Sequence, residues 1–497
     1  MAQKISVSPL TRIEGHLKID VEVEGGQIVD AHCAGEMFRG WEIILKGRHP
    51  LDAQQITQRI CGVCPTAHGH ASNRCLDDAL GINPPDNGRL LRNLILGANN
   101  VQSHILHFYH LAALDFVDIT AILQYQGNSP QLNKVKSWAQ SEVNSGRSNM
   151  LSPFMPRYKG AYIQDVELNI AAIAHYLEAL EMRKKAQEAL VIFGGKMPHT
   201  MATVPGGVTE KPTADKIVAY LSYIKELQAF VDNKYVPDVI AVAQAFPQYF
   251  GIGKGCGNFL SYGVFEENNE GTELFLTRGA VIDGAYQEFD MMKINEYVEH
   301  SKFKSETGLH PWEGQTDPDP EKNDAYSFVK APRYNDAVVE VGPLARTVVS
   351  YMSGKNEAVK NIVDATCASV GIGIPDLFSV LGRHAARALE CKLVVDRCAE
   401  WAMEIKLGQP VCTPFTIPSE AKGAGFCEAP RGSVSHWIKI EDSVIDNYQV
   451  VAPTTWNCSP RDDQGRLGAI EQALIGTPVA DSENPIEPTR VVRSFDP

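Results

Sequence analysis

Hydrophobic and polar positions follow two rhythms along this chain. Near the N-terminus they alternate. "LKIDVEVE" (Leu17–Glu24) puts every second residue on an apolar face, Gly25–Gly26 offers a turn, and "QIVDAHC" resumes the alternation. That is the pattern of a β-hairpin with one buried face. From Asp52 the apolar spacing turns helical. Arg89–Val117 is long, mostly apolar and free of proline, which predicts a helix buried around much of its circumference. Asp165–Gly195 predicts a second helix closed by glycine. Thr213–Phe246 predicts a third, broken near Pro237, and Asn356–Ile372 and Ser379–Lys406 supply two more. Between Tyr249 and Tyr334 the chain is rich in Gly, Asp, Glu and aromatics, with strand-like pieces such as "GAVIDGAYQEF". After Val411 it reads as loop-rich. The expected architecture is α+β, predominantly α: a single unit over 1–497. Its parts are a β-rich 1–50, a helical core of 51–248 and 341–410, a peripheral α+β region at 249–340, and a loop-rich 411–497.

Composition narrows the function classes. The chain has 497 residues, 44% hydrophobic and 21% charged, an ordinary globular mixture. A formal net charge of -14 argues against nucleic acid or an anionic membrane as partner. No apolar run reaches the ~18 residues of a transmembrane helix. The start, "MAQKISVSPLTRIEGH", has no apolar h-region, so no secretory signal of its own is expected, although a folded partner could carry one. Eleven cysteines at irregular spacing do not resemble a disulfide framework. Cys75, Cys398 and Cys458, which lack pair spacing, read as structural.

The tight pair is Cys61 and Cys64, in "RICGVCPTAHGHAS". Two thiolates three positions apart can bind one metal centre, Gly62 between them lets the backbone turn, and soft sulfur favours Zn, Fe, Ni or Cu(I) over Mg or Ca. Arg59 stands close enough in sequence to lower a thiol pKa as donor and charge. On its own the motif is equally half of a zinc site or a redox dithiol. His104, His107 and His110, three apart, could line one helix face, but on a buried helix they read as packing residues and not as a zinc site.

The wider pattern resembles the large, catalytic subunit of nickel–iron hydrogenases. "RICGVCPTAH" is similar to that family's N-terminal cysteine motif. "PLTRIEGHLKI", "GEMFRGWEIILKGR", "SHILHFYHL", "EAPRGSVSHW" and "PTTWNCSPRD" are similar to further family blocks, in family order, over nearly the whole chain. The resemblance implies that fold, with a buried long-helix bundle and peripheral β-strands. It also implies a Ni–Fe centre with CO and cyanide on iron, held by two cysteine pairs. The first pair maps onto Cys61 and Cys64, one a terminal nickel ligand and one bridging to iron. The second lies in a C-terminal motif, D-P-C-x-x-C-x-x-H, of which the sequence reaches Asp496 and Pro497. One branch of the family has selenocysteine, encoded by UGA, at the next position. The expectation is that this chain belongs to that branch and that its reading stops there; a natural or deliberate truncation, or a working protein without the second pair, are the alternatives. As written, the chain is not expected to hold the metals. Ser103 stands where many standard members have Asp.

Other roles follow from the same resemblance. Glu14 would pass protons between the nickel thiolate or selenolate and solvent; its bland alternative is a structural pair with Arg12. Glu42 and the backbone carbonyl near Val450 would bind a second cation, Mg or Fe, which suits a carboxylate. Arg431 would sit above the metals and hydrogen-bond one cyanide, as a fixed, permanently charged donor, and Thr454 would donate to the other. Pro430 would line the site, Asp496 would stand near Arg431, and His68 would donate to a cysteine sulfur. The implied reaction is H2 ⇌ 2H⁺ + 2e⁻. The chain offers no further cysteine cluster for a cubane, so the implied partner is an iron–sulfur small subunit in a heterodimer, with maturation proteins besides. The implied compartment is the periplasm, by export with that subunit, with the cytoplasm as alternative. A non-catalytic scaffold related to complex I subunits and a hydrogen sensor are the rival functions.

Overall fold

The computed structural model describes residues 2–145 and 161–497. The N-terminal alternation forms a three-stranded antiparallel sheet of Gln3–Val7, Leu17–Glu24 and Gln27–Gly35, in chain order. Gly25 and Gly26 turn the hairpin at φ of 60° and 79°, the left-handed values that a two-residue I′ turn demands of both residues.

Five long helices make the core: Pro65–Leu80, Asp86–Leu106, Val166–Gly194, Ala214–Phe230 and Val380–Glu404. Asp86–Leu106 is the central one. Every residue from Asn87 to Leu106 is buried, against Val166–Gly194 on one side and Val380–Glu404 on another. The ends are set by local chemistry. The Asp165 side chain accepts the Leu168 N–H, Ser379 accepts that of Gly382, and Gly195 at φ 81° ends the helix that Asp165 begins. Among the described residues no helix is long and apolar enough to cross a membrane.

Three sequence readings change. The predicted Arg89–Val117 helix is α-helical only to Leu106 and continues as a π-helical turn, His107–Ala112. The Thr213–Phe246 segment is not broken at Pro237. It widens into a π turn at Val231–Tyr235, and Pro237 sits in the first turn of Val236–Ala245, where its missing N–H costs nothing. The C-terminal part is not loop-rich. It holds an antiparallel meander of Ala421–Ala429, Gly432–Glu441 and Val444–Val451. These strands are buried on both faces, so no polar alternation marks them. Their glycines let backbone meet backbone: a Cβ on Gly425 would lie 2.1 Å from Ala71 O, and one on Gly423 2.2 Å from Cys75 O, on the Pro65–Leu80 helix.

The last helix, Ile486–Phe495, is held by arginines. Arg490 lies over Phe116 at 4.4 Å and over Tyr249 at 5.0 Å. Arg493 pairs with Asp115 at 2.8 Å, and Arg383 lies over Phe495 at 3.6 Å. The chain beyond it returns to the N-terminal loop, where the Glu14 N–H donates to Pro497 O at 3.2 Å.

Candidate metal centre

Cys61 follows the short turn Gln58–Ile60 in extended backbone, and Cys64 is the N-cap of Pro65–Leu80, with Pro65 at the first position. The loop folds back so that the Cys64 N–H donates to Cys61 Sγ at 3.2 Å. Both cysteines are buried. The Cys64 thiol hydrogen-bonds a Cys61 thiolate, and with Arg431 and the Cys64 N–H this outweighs burial and brings Cys61 down to about 7. The same bond, and then burial, push Cys64 well above the usual thiol range. Two sulfurs in mutual contact and one easily lost proton make a ready soft-metal chelate.

Arg431 stands over the pair. It occupies, with Pro430, the two-residue turn between Ala421–Ala429 and Gly432–Glu441, closed by the Ala429–Gly432 pair. The turn is tight because Gly432, at φ 137°, approaches Val341 so closely that a Cβ would come within 2.5 Å of its Cγ2. Beneath it, Arg346 donates to Ala429 O at 2.9 Å and Pro430 O at 3.0 Å, and pairs with Glu390 and Glu428 at 2.7 Å each. Glu390 also meets His104 at 2.9 Å. Burial alone would raise Glu390, but Arg346 and His104 hold it at about 2. Arg431 itself is 4% exposed and lies 2.9 Å from Asp496. Burial works against its charge. Asp496, the two sulfurs and Glu14 outweigh burial and raise its pKa. Asp496 reaches this place at φ 60°, as the C-cap of Ile486–Phe495.

Glu14 is solvent-exposed, with Oε1 3.9 Å from where a Cβ on Gly62 would stand. It lines an open cavity of about 210 Å³ with Thr454 and Pro497. Arg12 donates to Asp115 and to Leu111 O. At the second candidate site, Glu42 accepts the Val450 N–H and shares a cavity of about 200 Å³ with Glu296, Lys330 and Val450. Burial, and then the neighbouring Glu296 charge, raise the Glu42 carboxyl against Lys330. A hard cation bound by Glu42 would relieve both effects.

Other expectations resolve differently. Arg59 is exposed and donates back to Gln55 O, since it ends a short helical turn that points outward; the guanidinium acting on Cys61 is that of Arg431. His68 meets His436 at 3.1 Å instead of a sulfur, and His436 meets Tyr448 at 2.7 Å. Burial brings His68 down to about 3, so it is neutral. His104, His107 and His110 take separate partners, Glu390, Arg493 O and Tyr176 O, as packing residues do. Sequence reading missed Arg346, Glu390 and Glu428 under the turn, and Glu296 and Lys330 beside Glu42. "EAPRG" contains Glu428, but nothing local marks the others.

The site suits an anionic, thiolate-bound metal centre. The three nitrogens of the buried Arg431 guanidinium have no hydrogen-bond acceptor in good geometry, and neither Asp496 oxygen has a donor. A donor set left open above two cysteines is complementary to metal-bound anionic ligands.

Comparison with known proteins agrees with this chemistry. The family model "Nickel-dependent hydrogenase" matches residues 39–497, and a HoxL-like model matches 4–34. The periplasmic [NiFeSe] hydrogenase large subunit of Desulfomicrobium baculatum is 44% identical over 99% of this chain and 93% of its own length. The hydrogenase-2 large chain of Escherichia coli is 38% identical over 100% and 96%. The solved H2-activated [NiFeSe] hydrogenase of Dm. baculatum superposes with a TM-score of 0.89 at 44% identity, covering 100% of this chain and 99% of that one. The as-isolated oxidised Ni-Fe-Se hydrogenase of Desulfovibrio vulgaris Hildenborough gives 0.87 at 44% identity, covering 100% and 98%. The chain belongs to the nickel-dependent hydrogenase family, as one of its large subunits.

Proposed function

We propose that Cys61 and Cys64 hold a nickel–iron centre and that the chain performs the reversible heterolysis of H2 on it. The observation that carries this reading is the paired thiols lying under a buried Arg431 guanidinium that is ion-paired with Asp496 but keeps its donors open. Both cysteines would bind the centre as thiolates. The resemblance sets the second ligand pair directly after Asp496–Pro497, with selenocysteine at its first position, and the Glu14–Pro497 hydrogen bond brings that point beside the first pair. When bound, the centre supplies the Lewis acidity that makes dihydrogen acidic enough to lose a proton.

The protein's own residues do the rest. Arg431 and Thr454 would donate to the cyanide ligands that, with CO, such a centre would carry on iron. Pro430 forms an apolar wall that limits water, and Asp496 orients Arg431. The proton would pass by way of the thiolate or selenolate to Glu14, which lines the open cavity and can release it to solvent, with Arg431 as the rival base. Glu42 and the Val450 carbonyl hold Mg or Fe. Electrons would leave to an iron–sulfur small subunit. Maturation proteins load the metals, and the heterodimer is exported to the periplasm on the partner's signal.

The test is to purify the native heterodimer beside C61S and C64S variants. Wild type is expected to contain nickel and iron and to oxidise H2, and each variant to lose nickel and activity together. A wild type without nickel, or a C61S enzyme with full nickel, overturns the reading.

A further inference from the structure

The charges at this site do not balance among the residues assigned so far. Arg346 is matched by Glu390 and Glu428, and Arg431 by Asp496. Arg387, on the Val380–Glu404 helix, is 1% exposed and forms no ion pair among the described residues. Its Nη2 donates to Ser494 O at 3.0 Å and its Nη1 to Arg383 O at 3.3 Å, while Nε has no acceptor. Carbonyls satisfy donors but do not neutralise a charge. A buried guanidinium without a counter-charge is strongly unfavourable unless something anionic stands near it. Burial is the dominant effect on Arg387; Asp496 of the site is the strongest group supporting its charge, followed by Tyr235, and Arg431 opposes it.

Arg387 also grips the segment that delivers Asp496. It and Arg383 lie four residues apart on one helix face. Arg383 pairs with Glu340 at 2.7 Å and stacks on Phe495 at 3.6 Å, and Arg387 holds the adjacent Ser494 carbonyl. The last helical turn is thus fixed by a ring contact and a carbonyl contact from two consecutive arginines.

We propose that Arg387 is a positioning residue for hydrogen cleavage: it fixes the Ser494–Asp496 turn and supplies a second buried positive charge that offsets an anionic metal centre. The inference rests on the nickel–iron reading above. Two divalent metals with four sulfur or selenium anions and two cyanides would be net anionic, and Arg431 already shares its charge with Asp496 at 2.9 Å although its donors stay open. Arg387 is the uncommitted cation behind that pair.

The experiment compares wild type, R387Q and R387K in the native heterodimer by nickel and iron content, infrared stretches of the diatomic ligands, and rate per nickel. R387Q is expected to keep its metals, move the stretches to lower frequency as the centre loses a nearby positive charge, and slow by about tenfold or more. R387K is expected to bring the stretches back towards wild type. Unmoved stretches and an unchanged rate per nickel in R387Q would make Arg387 a strut only and overturn the proposal. A wild type lacking nickel and diatomic bands instead overturns the nickel–iron reading. If neither variant loads metal, the loaded wild-type crystal structure decides. A water or ligand atom joining Arg387 Nε to Asp496 supports the proposal; Nε packed on apolar atoms defeats it.

Discussion

Arg346→Met removes the strut beneath Arg431. Arg346 is fully buried and donates to Glu390, Glu428, Ala429 O and Pro430 O. Methionine fills much of its volume but leaves two carboxylates without a counter-charge, and breaking a buried ion pair from one side costs about 3–5 kcal/mol. Glu390 is part of this: Arg346 and His104 together hold its carboxyl at about 2 against an ordinary 4.5, roughly 3 kcal/mol at about 1.4 kcal/mol per tenfold change in proton affinity, and Arg346 is the larger contributor. The direction of the shift fixes the pH window. A depressed carboxyl stabilises the folded state above pH 4.5 and loses that contribution as pH falls from 4.5 to about 2. In R346M only the weaker partners, His104 at Glu390 and Ser433 and the Tyr262 N–H at Glu428, still oppose burial, so both carboxyls move upward and the folded variant takes up protons that wild type refuses. Its deficit is greatest near neutral pH and shrinks on acidification. An unfolding entropy of about 2.1 cal/mol/K per residue gives about 1 kcal/mol/K for this length, so the variant should melt about 3–5 °C lower near pH 7. Scanning calorimetry from about pH 7.5 to about pH 4.5 measures it. A deficit below about 1 kcal/mol near neutrality, or one equal at every pH, refutes the reasoning.

Three further outcomes are expected. Glu42→Gln should lower the content of the second cation, Mg or Fe, while leaving nickel in place; elemental analysis showing an undiminished second cation would count against the Glu42 site. His68, held at about 3, refuses a proton that the unfolded chain accepts below 6.5, so wild type loses stability as pH falls through that window. His68→Asn should flatten the dependence of Tm on pH there, with His436 leaving a residual slope, and an unchanged slope contradicts the assignment. Gly425→Ala forces a Cβ to within 2.1 Å of Ala71 O and 2.2 Å of Cys75 N, both backbone, and should cost about 3 kcal/mol or more. A wild-type Tm for Gly425→Ala would show that the strand can shift off the helix.

Where one face is wet and the other dry, the sequence is readable. Leu17–Glu24 alternates because only one side of its sheet is buried, and Asp165 and Gly195 bracket their helix by ordinary capping chemistry. Burial on both sides erases that signal. "AKGAGFCEA" reads as loop because its glycines yield to the Pro65–Leu80 backbone and its remaining residues have no solvent face to be polar towards. The π turns at His107–Ala112 and Val231–Tyr235 escape for another reason: a widened turn takes in an extra residue and shifts the phase of the apolar stripe, and no residue type marks where it does so.

The site divides along the same line. Cys61 and Cys64 are local: one loop, one helix N-cap, two sulfurs that the spacing alone brings together. Glu14, Arg431 and Asp496 come from distant stretches and are found only by comparison with a whole family pattern, because no spacing rule relates a residue in the first fifteen to one in the last two. The residues under them are hidden further. Arg346, Arg387 and Glu390 sit on helices whose buried faces read as packing, and their charges look like surface charges until tertiary structure pairs them. Yet the Arg431 guanidinium keeps its place through this layer: Arg346 holds the Pro430–Arg431 turn by its carbonyls, and Glu390 and Glu428 hold Arg346. A buried charge network is a costly way to fix a turn. Its use here follows from what the turn carries, because a cation aimed at two thiolates must be located by directional bonds, and apolar packing alone supplies none.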